Sequence, residues 1–292
     1  MQTAAMMDQE LYILTDGDGD FLVSMKDLVH FTSMDVPKMK KLFEANGFTV
    51  RVSKFGELDL NQDFRGKHVL YQTSEKKGPF YKRYIEDVVY YLERRGAIPL
   101  PPFEYLKAHH NKCYMEMMRG DFVAPELKSL RSWCFGSAEE AVRGMPSRFP
   151  VVLKQTGGSG SEGVYLARNP AEYHRCAMAI SQTVLGTSWP EVARQGIKQE
   201  LRKMLSPFVA KYRRNDPPLR QPVVVQEFLP GLAGDYKVVV LGGKYYILYR
   251  ENREGDFRAS GGGRLSVVPE QDRFGLLDFA RKVVQEIEFP IL

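Results

Sequence analysis

Cysteine is scarce in this chain. There are three in 292 residues (Cys113, Cys134, Cys176), none at paired metal-type spacing. That excludes a disulfide framework and suits a reducing compartment. Long apolar runs are missing too: none approaches the ~20 residues needed to span a bilayer. The start, MQTAAMMDQE, carries acids and lacks a basic stretch followed by an apolar core, so no signal peptide is read there. No membrane partner is expected, and a cytoplasmic protein is the default. A large excess of one charge is also absent. The net charge of +5 is too small to imply nucleic-acid binding without a local patch. Finally, Gly-Lys-Ser/Thr occurs nowhere, which excludes a P-loop.

What is present fits about two domains of ordinary globular composition. The first third alternates strand and helix patterns. Leu11 to Thr15 reads as a buried strand, and Ser33 or Asp35 can cap a helix with Pro37 in its first turn and Gly47 past its end. Phe48 to Val52 and His68 to Gln72 read as strands. Tyr81 to Arg95 carries Ile85, Val88, Val89 and Leu92 on one helix face, and Ala97 to Leu100 reads as a further strand. Such alternation predicts a small α/β domain with a largely parallel sheet.

Beyond residue 105 the pattern changes. A helix is expected over about 109–119 and a strand near Ser129–Phe135, followed by a Ser137/Glu140 capping box. Strands at Phe149–Lys154 and Gly163–Ala167 flank a glycine-rich turn, and Asn169-Pro170 opens another helix. Residues 190–214 form a long basic segment. Val223–Phe228, Tyr236–Leu241 and Lys244–Arg250 read as strands, the last two joined by Gly242-Gly243, a tight hairpin signal. A helix over about 273–288 closes the chain.

Two segments carry chemistry. The first is FPVVLKQTGGSGSEGVYLA, residues 149–167. A strand follows its glycines, so a helix N-terminus is not the phosphate anchor that a P-loop or a Rossmann fingerprint requires. A hairpin tip can instead lay backbone N–H groups over phosphates as an anion nest. Gly157, Gly158, Gly160 and Gly163 permit the close approach, Ser159 and Ser161 add donors, and Lys154 supplies a positive charge. A solvated loop is the competing reading, since glycine-rich turns are common. The second is VVVQEFLPGLAGDYKVVVLGGKYYILYRENREGDFRASGGGR, residues 223–264. Residues two apart in a strand share a face, so Asp235 and Lys237 point together. A carboxylate can accept both ribose hydroxyls, and cations can hold a polyphosphate. Standing alone, this segment reads equally as an exposed hairpin with surface charges.

Together, and in this order, the two segments resemble the ATP-grasp superfamily, in its glutathione-synthetase-like and glutamate-ligase-like branch. Lys154 with GGSGSEGV is similar to that fold's first-lobe lysine and phosphate-covering loop. QEFLPGLAGDYK is similar to its hinge and ribose segment, GDFRAS to its catalytic-arginine segment, and Asn111-Lys112 to its earlier lysine. The resemblance spans about residues 68–290. It implies an α/β (α+β) fold with a parallel pre-ATP-grasp domain (1–108), a first ATP-grasp lobe holding the glycine-rich loop and a basic insertion (109–222), and a second lobe (223–292).

It implies roles as well. Lys112 and Lys154 would contact phosphates, with Gly157, Gly158, Ser159, Gly160, Ser161 and Gly163 as the covering loop. Gln226, Glu227, Phe228 and Leu229 would form the adenine hinge. Asp235 would hold the ribose, and Arg250 and Arg258 would be the catalytic arginines. Lys237 stands where the branch often has arginine, which weakens two-pronged recognition, and Ser260 where it often has asparagine. The implied chemistry is carboxylate–amine ligation through an acyl phosphate, with ATP and magnesium. The carboxylate and amine substrates carry no readable code.

The same pattern calls for a helix, a loop, a strand with Asp, a hairpin and Glu-x-Asn to hold magnesium. The sequence supplies the helix (Leu276 to Glu288) and Phe289-Pro290-Ile291-Leu292. Protein ligands for the metal are therefore expected beyond residue 292, the second lobe is expected to be incomplete, and no metal ligand is assigned within the chain. This chain alone is therefore expected to bind nucleotide with weak or no ligase activity, and the alternative function is a nucleotide-binding module without ligase turnover.

Other features are read more plainly. Asp16-Gly-Asp-Gly-Asp20 opens like an EF-hand loop, but Phe21 stands where the sharp turn needs glycine, so it is read as a turn. His109-His110 is read as a surface pair at a helix start rather than as a metal site. The basic segment with Arg194, Lys198, Arg202, Lys203, Lys211, Arg213 and Arg214 is read as a solvated helix face, and nucleic acid is not an expected partner.

Overall fold

The computed structural model describes residues 9–21, 24–25, 31–73, 78–157, 163–182, 221–259, 264–270 and 273–287. Gly158, Ser159, Gly160, Ser161, Ser260 and the basic segment at 190–214 lie outside the described residues. The chain divides into two compact units, Met1–Lys107 and Ala108–Leu292.

The first unit runs β1 (Gln9–Thr15), β2 (Ser24–Met25), β3 (Phe31–Thr32), α1 (Val36–Ala45), β4 (Phe48–Lys54), β5 (His68–Tyr71), α2 (Gly78–Arg94) and β6 (Ile98–Leu100), with α3 (Phe103–Ala108) at the division. A parallel sheet of order β4-β1-β5-β6 is its centre. β1 is apolar on both faces because both are covered. Tyr12 and Leu14 pack with Ile85, Val88, Val89 and Leu92 of α2, while Leu11 and Ile13 pack with Met39 and Phe43 of α1. The Asp35 side chain caps α1, accepting from the Lys38 N–H at 2.9 Å. Asp16 ends β1 in a turn: its Oδ1 accepts the N–H groups of Asp18 at 2.8 Å and Asp20 at 3.1 Å.

The second unit continues with α4 (Lys112–Asp121), β7 (Ser132–Phe135), α5 (Ala138–Arg143), β8 (Val151–Gln155), β9 (Val164–Ala167), α6 (Pro170–Gln182), β10 (Val223–Glu227), β11 (Gly234–Leu241), β12 (Lys244–Glu251), β13 (Leu265–Val267) and α7 (Phe274–Ile287). The helix expected over 109–119 begins at Lys112 instead. His110 takes a positive φ of 60°, and the Asn111 side chain then caps the new start, accepting from the Tyr114 N–H at 3.1 Å. The expected capping box at α5 is half formed. Ser137 accepts from the Glu140 N–H, but the Glu140 carboxylate reaches the Gly136 N–H at 2.8 Å, one residue upstream of the cap.

Strands β7, β10, β8 and β9 form an antiparallel sheet in that order. Alternation gives it two unlike faces. Val151, Leu153, Val223, Val225 and Ala167 are buried against Ala138, Ala141, Tyr173, Ala177 and Ile180 of α5 and α6. Full burial of a valine or leucine side chain contributes about 1.5–3 kcal/mol, so this face anchors the sheet. The opposite face carries Ser132, Cys134, Val224, Gln226, Val152, Lys154, Val164 and Leu166, by register. A second antiparallel sheet, β11-β12-β13, turns at Gly242-Gly243, both with positive φ as a two-residue hairpin demands. Among the described residues no helix is long and apolar enough to cross a membrane.

Candidate functional site

The sheet face opposite the core is where chemistry collects. Lys154 stands on it at the penultimate position of β8, beside Val224 and Val164 in register. Lys112 is the first residue of α4. Its backbone N–H donates to the Thr156 carbonyl at 3.0 Å and its Nζ to the Gly157 carbonyl at 2.9 Å. Two residues far apart in sequence are thereby brought to one place, at the mouth of the glycine-rich turn.

The electrostatics of this pair are unfavourable as they stand. Burial pushes the Lys112 ammonium below its ordinary value, and the Lys154 charge pushes it further the same way. Burial likewise lowers Lys154, against a partial counter-effect from Glu116. A lysine at the first turn of a helix also sits at the positive end of the dipole. Two depressed cations and a helix N-terminus together make a place where a bound polyanion relieves repulsion.

The residues expected to form a hinge follow. Gln226 is buried at 8% exposure, and its Oε1 accepts from Lys154 Nζ. Its Nε2 donates to Glu116 Oε1 at 2.6 Å, and Glu116 Oε2 accepts from Arg119 at 2.6 and 3.0 Å. The Glu227 N–H donates to the Arg131 carbonyl at 3.0 Å, and its side chain is exposed, as is that of Leu229. The Phe228 ring meets Phe257 edge to face, with centroids 6.1 Å apart. That contact joins the hinge to the turn carrying Arg258.

In the second sheet Asp235 and Arg250 are directly opposed. Arg250 grips the carboxylate with Nε at 2.6 Å and Nη2 at 2.7 Å. Lys237 lies on the same face and is exposed. Arg258 turns back on Asp256, with contacts of 2.6 to 3.0 Å, and this ion pair holds Asp256 below the usual carboxylate range while raising Arg258. Gly163 has φ of 63°, and a Cβ there would lie 2.3 Å from the Gln155 side chain, so glycine is required where the loop returns to β9.

The structure thus groups Lys112, Lys154, Gly157 and Gln226 around one sheet face, and pairs Asp235 with Arg250. Glu116 and Arg119 were not found from the sequence. The available signal was their spacing from Lys112, four and seven residues on, which places all three on one helix face. Among the described residues the group of three acids close enough to share a cation is Asp16, Asp18 and Asp20, in the first unit.

No protein-family model matches the chain, and no curated protein matches it. Solved structures do. The chain is similar to a RimK-domain ATP-grasp protein from Sphaerobacter thermophilus, at TM-score 0.45 and 11% identity, over 97% of this chain and 83% of that one. It is similar to the D-cycloserine synthetase DcsG, at TM-score 0.47 and 13% identity, over 97% and 83% of the two chains. It is also similar to D-alanyl-alanine synthetase A from Vibrio cholerae, at TM-score 0.46 and 13% identity, over 98% and 84%.

Proposed function

We propose that the chain binds ATP in the ATP-grasp manner and serves carboxylate–amine ligation through an acyl phosphate. The observation that carries this reading is the meeting of Lys112 and Lys154 on one sheet face, where burial and mutual repulsion lower Lys112 and burial lowers Lys154. A polyphosphate is the ligand that such a pair, beside a helix N-terminus and a glycine turn, is built to accept.

The remaining roles are those that the resemblance implies. Backbone groups of the Glu227–Phe228 segment would meet the edge of the base. Asp235, steadied by Arg250, retains lone pairs for ribose hydroxyls, since a carboxylate offers about four acceptor sites and Arg250 occupies two. Arg258 would steady the transferring phosphoryl group on leaving Asp256. The work of the protein in such a reaction is positioning and charge stabilisation.

Magnesium does not fit the described residues of this unit as a protein-held ion. Among the described residues of this unit no three acids lie close enough together to share a cation, and Asp235 is paired with Arg250 and Asp256 with Arg258. It would enter with the ATP phosphates, and no step above is routed through it.

The test is calorimetry with ATP, followed by phosphate release with panels of carboxylates and amines. ATP binding with amine-dependent phosphate release is the expected result. Binding without release in any panel would favour the nucleotide-binding module. Absence of binding would overturn both.

A further inference from the structure

We infer that Glu116 is a positioning residue for Lys154, acting through the carboxamide of Gln226 to fix the direction and the charge of the ammonium. This rests on the reading of Lys154 as a phosphate ligand, and deepens it by adding a residue outside both sequence motifs.

The orientation of the Gln226 amide is forced by chemistry. A lysine ammonium can only donate, so it meets Oε1; a carboxylate oxygen can only accept, so it meets Nε2. The amide lies with its carbonyl end on the cation and its amino end on the anion. It is buried, where such aligned dipoles are least screened. Glu116 is itself held from the far side. Arg119 grips its Oε2 and is in turn anchored on the Leu130 carbonyl at 2.7 Å and Ser132 Oγ at 3.1 Å. Lys112, Glu116 and Arg119, at one face of α4, thus meet the glycine turn, Gln226 and Ser132 in order along the sheet. The chain of contacts runs from Arg119 through Glu116 and Gln226 to Lys154.

Among the described residues, Lys112 and Glu116 of α4 interact electrostatically with Lys154, and Cys134 of β7 stands on the same sheet face on the far side of Val224. Of these the carboxylate of Glu116 opposes the burial that drives Lys154 toward neutrality. Removing that charge while keeping the shape should let the ammonium lose its proton earlier as pH rises. A staple that merely fastens α4 to the sheet would show no such effect.

The experiment is competitive acylation of Lys154 by acetic anhydride across pH, read by mass spectrometry on the full chain without nucleotide. E116Q retains an acceptor for the Gln226 amino group but loses the charge. The Lys154 midpoint should fall by roughly one pH unit relative to wild type, since one unit corresponds to about 1.4 kcal/mol of differential interaction. Q226M, which cuts the link and keeps the volume, should shift it in the same direction, and E116Q in that background should add little further. An unshifted midpoint in folded E116Q overturns the inference. Should E116Q not fold, Q226M alone decides: a shift supports the inference and an unchanged midpoint overturns it. The fall of ATP affinity with rising pH should then begin at lower pH in E116Q than in wild type if Lys154 binds phosphate. A shifted midpoint with an unchanged pH dependence of ATP affinity would keep Glu116 as the partner of Lys154 and overturn the phosphate reading instead.

Discussion

Arg250 and Asp235 face each other across the β11–β12 ladder and close a two-pronged ion pair at 2.6 and 2.7 Å. Sequence motifs assign these residues separate tasks, ribose and catalysis. Geometry makes them one device, because a carboxylate held in two places keeps one direction for its remaining lone pairs. D235N should therefore lose the preference for ATP over 2′,3′-dideoxy-ATP, and R250A should weaken the same preference without touching the ribose itself. The double variant should cost less than the sum, with a coupling of about 0.5–3 kcal/mol as for residues in contact. Additive losses in a calorimetric cycle would separate the two roles again.

The lysine pair makes nucleotide affinity depend on pH, and the sign can be worked out. Lys112 and Lys154 both lie below the ordinary lysine value of 10.5 in the folded protein. On the proposed reading ATP binds the charged forms, so its affinity should be highest below these lowered values and fall as pH rises through them. The stability of the free protein should move the other way. Between the lowered values and 10.5 the unfolded chain holds more protons, so stability rises with pH over that window. K154A should weaken ATP binding about tenfold or more, given roughly 1.5–3 kcal/mol for a charge-assisted contact. Affinity independent of pH up to 10 would remove both lysines from the site.

Much of this was readable from residues alone, and the exceptions have a common cause. The parallel α/β character of the first unit follows from its alternating strand and helix patterns, and the candidacy of Lys154 and Lys112 from local motifs. The pairing of Asp235 with Arg250 was implicit as well: counting back from Gly242-Gly243 sets the register of the whole hairpin. Glu116 was not readable. On its helix it looks like any exposed acid, and its partner Gln226 lies 110 residues away. The insertion of β10 between β7 and β8 is equally non-local, since strand patterns record which face is apolar and not which neighbour a strand takes. The start of α4 was misplaced because His110 adopts a positive φ, which is uncommon for any residue but glycine and which no local pattern marks here.

Gly234 opens β11 one residue before Asp235, and the space beside it is already filled. A Cβ there would lie 2.2 Å from the Arg250 carbonyl and 2.6 Å from the Tyr249 ring. G234A must push β12 away or bend β11, at about 1–3 kcal/mol for an overpacked position. The strain falls on the strand that carries Arg250. Thermal unfolding should register the loss, and discrimination against 2′,3′-dideoxy-ATP should drop in parallel. A fully stable G234A with unchanged nucleotide selectivity would contradict the close approach.

The last helix is fastened by a contact that acid should release. The Glu286 carboxylate of α7 accepts the backbone N–H groups of Val123 at 2.9 Å and Ala124 at 2.8 Å, just past the end of α4. Lys282, one turn earlier, pairs with Glu126 in the same segment. The two N–H bonds hold the Glu286 carboxyl below its ordinary range. A depressed carboxylate stabilises the fold above its unfolded-state value, and that contribution disappears as pH falls through the folded value. Amide exchange at Val123 and Ala124 should therefore accelerate in mild acid before the sheet cores open, because local openings precede global unfolding. E286Q should show fast exchange at these two amides already at neutral pH, with little further change on acidification. Protection at Val123 and Ala124 that is the same in wild type and E286Q, and insensitive to acid in both, would show that α7 is held by other contacts.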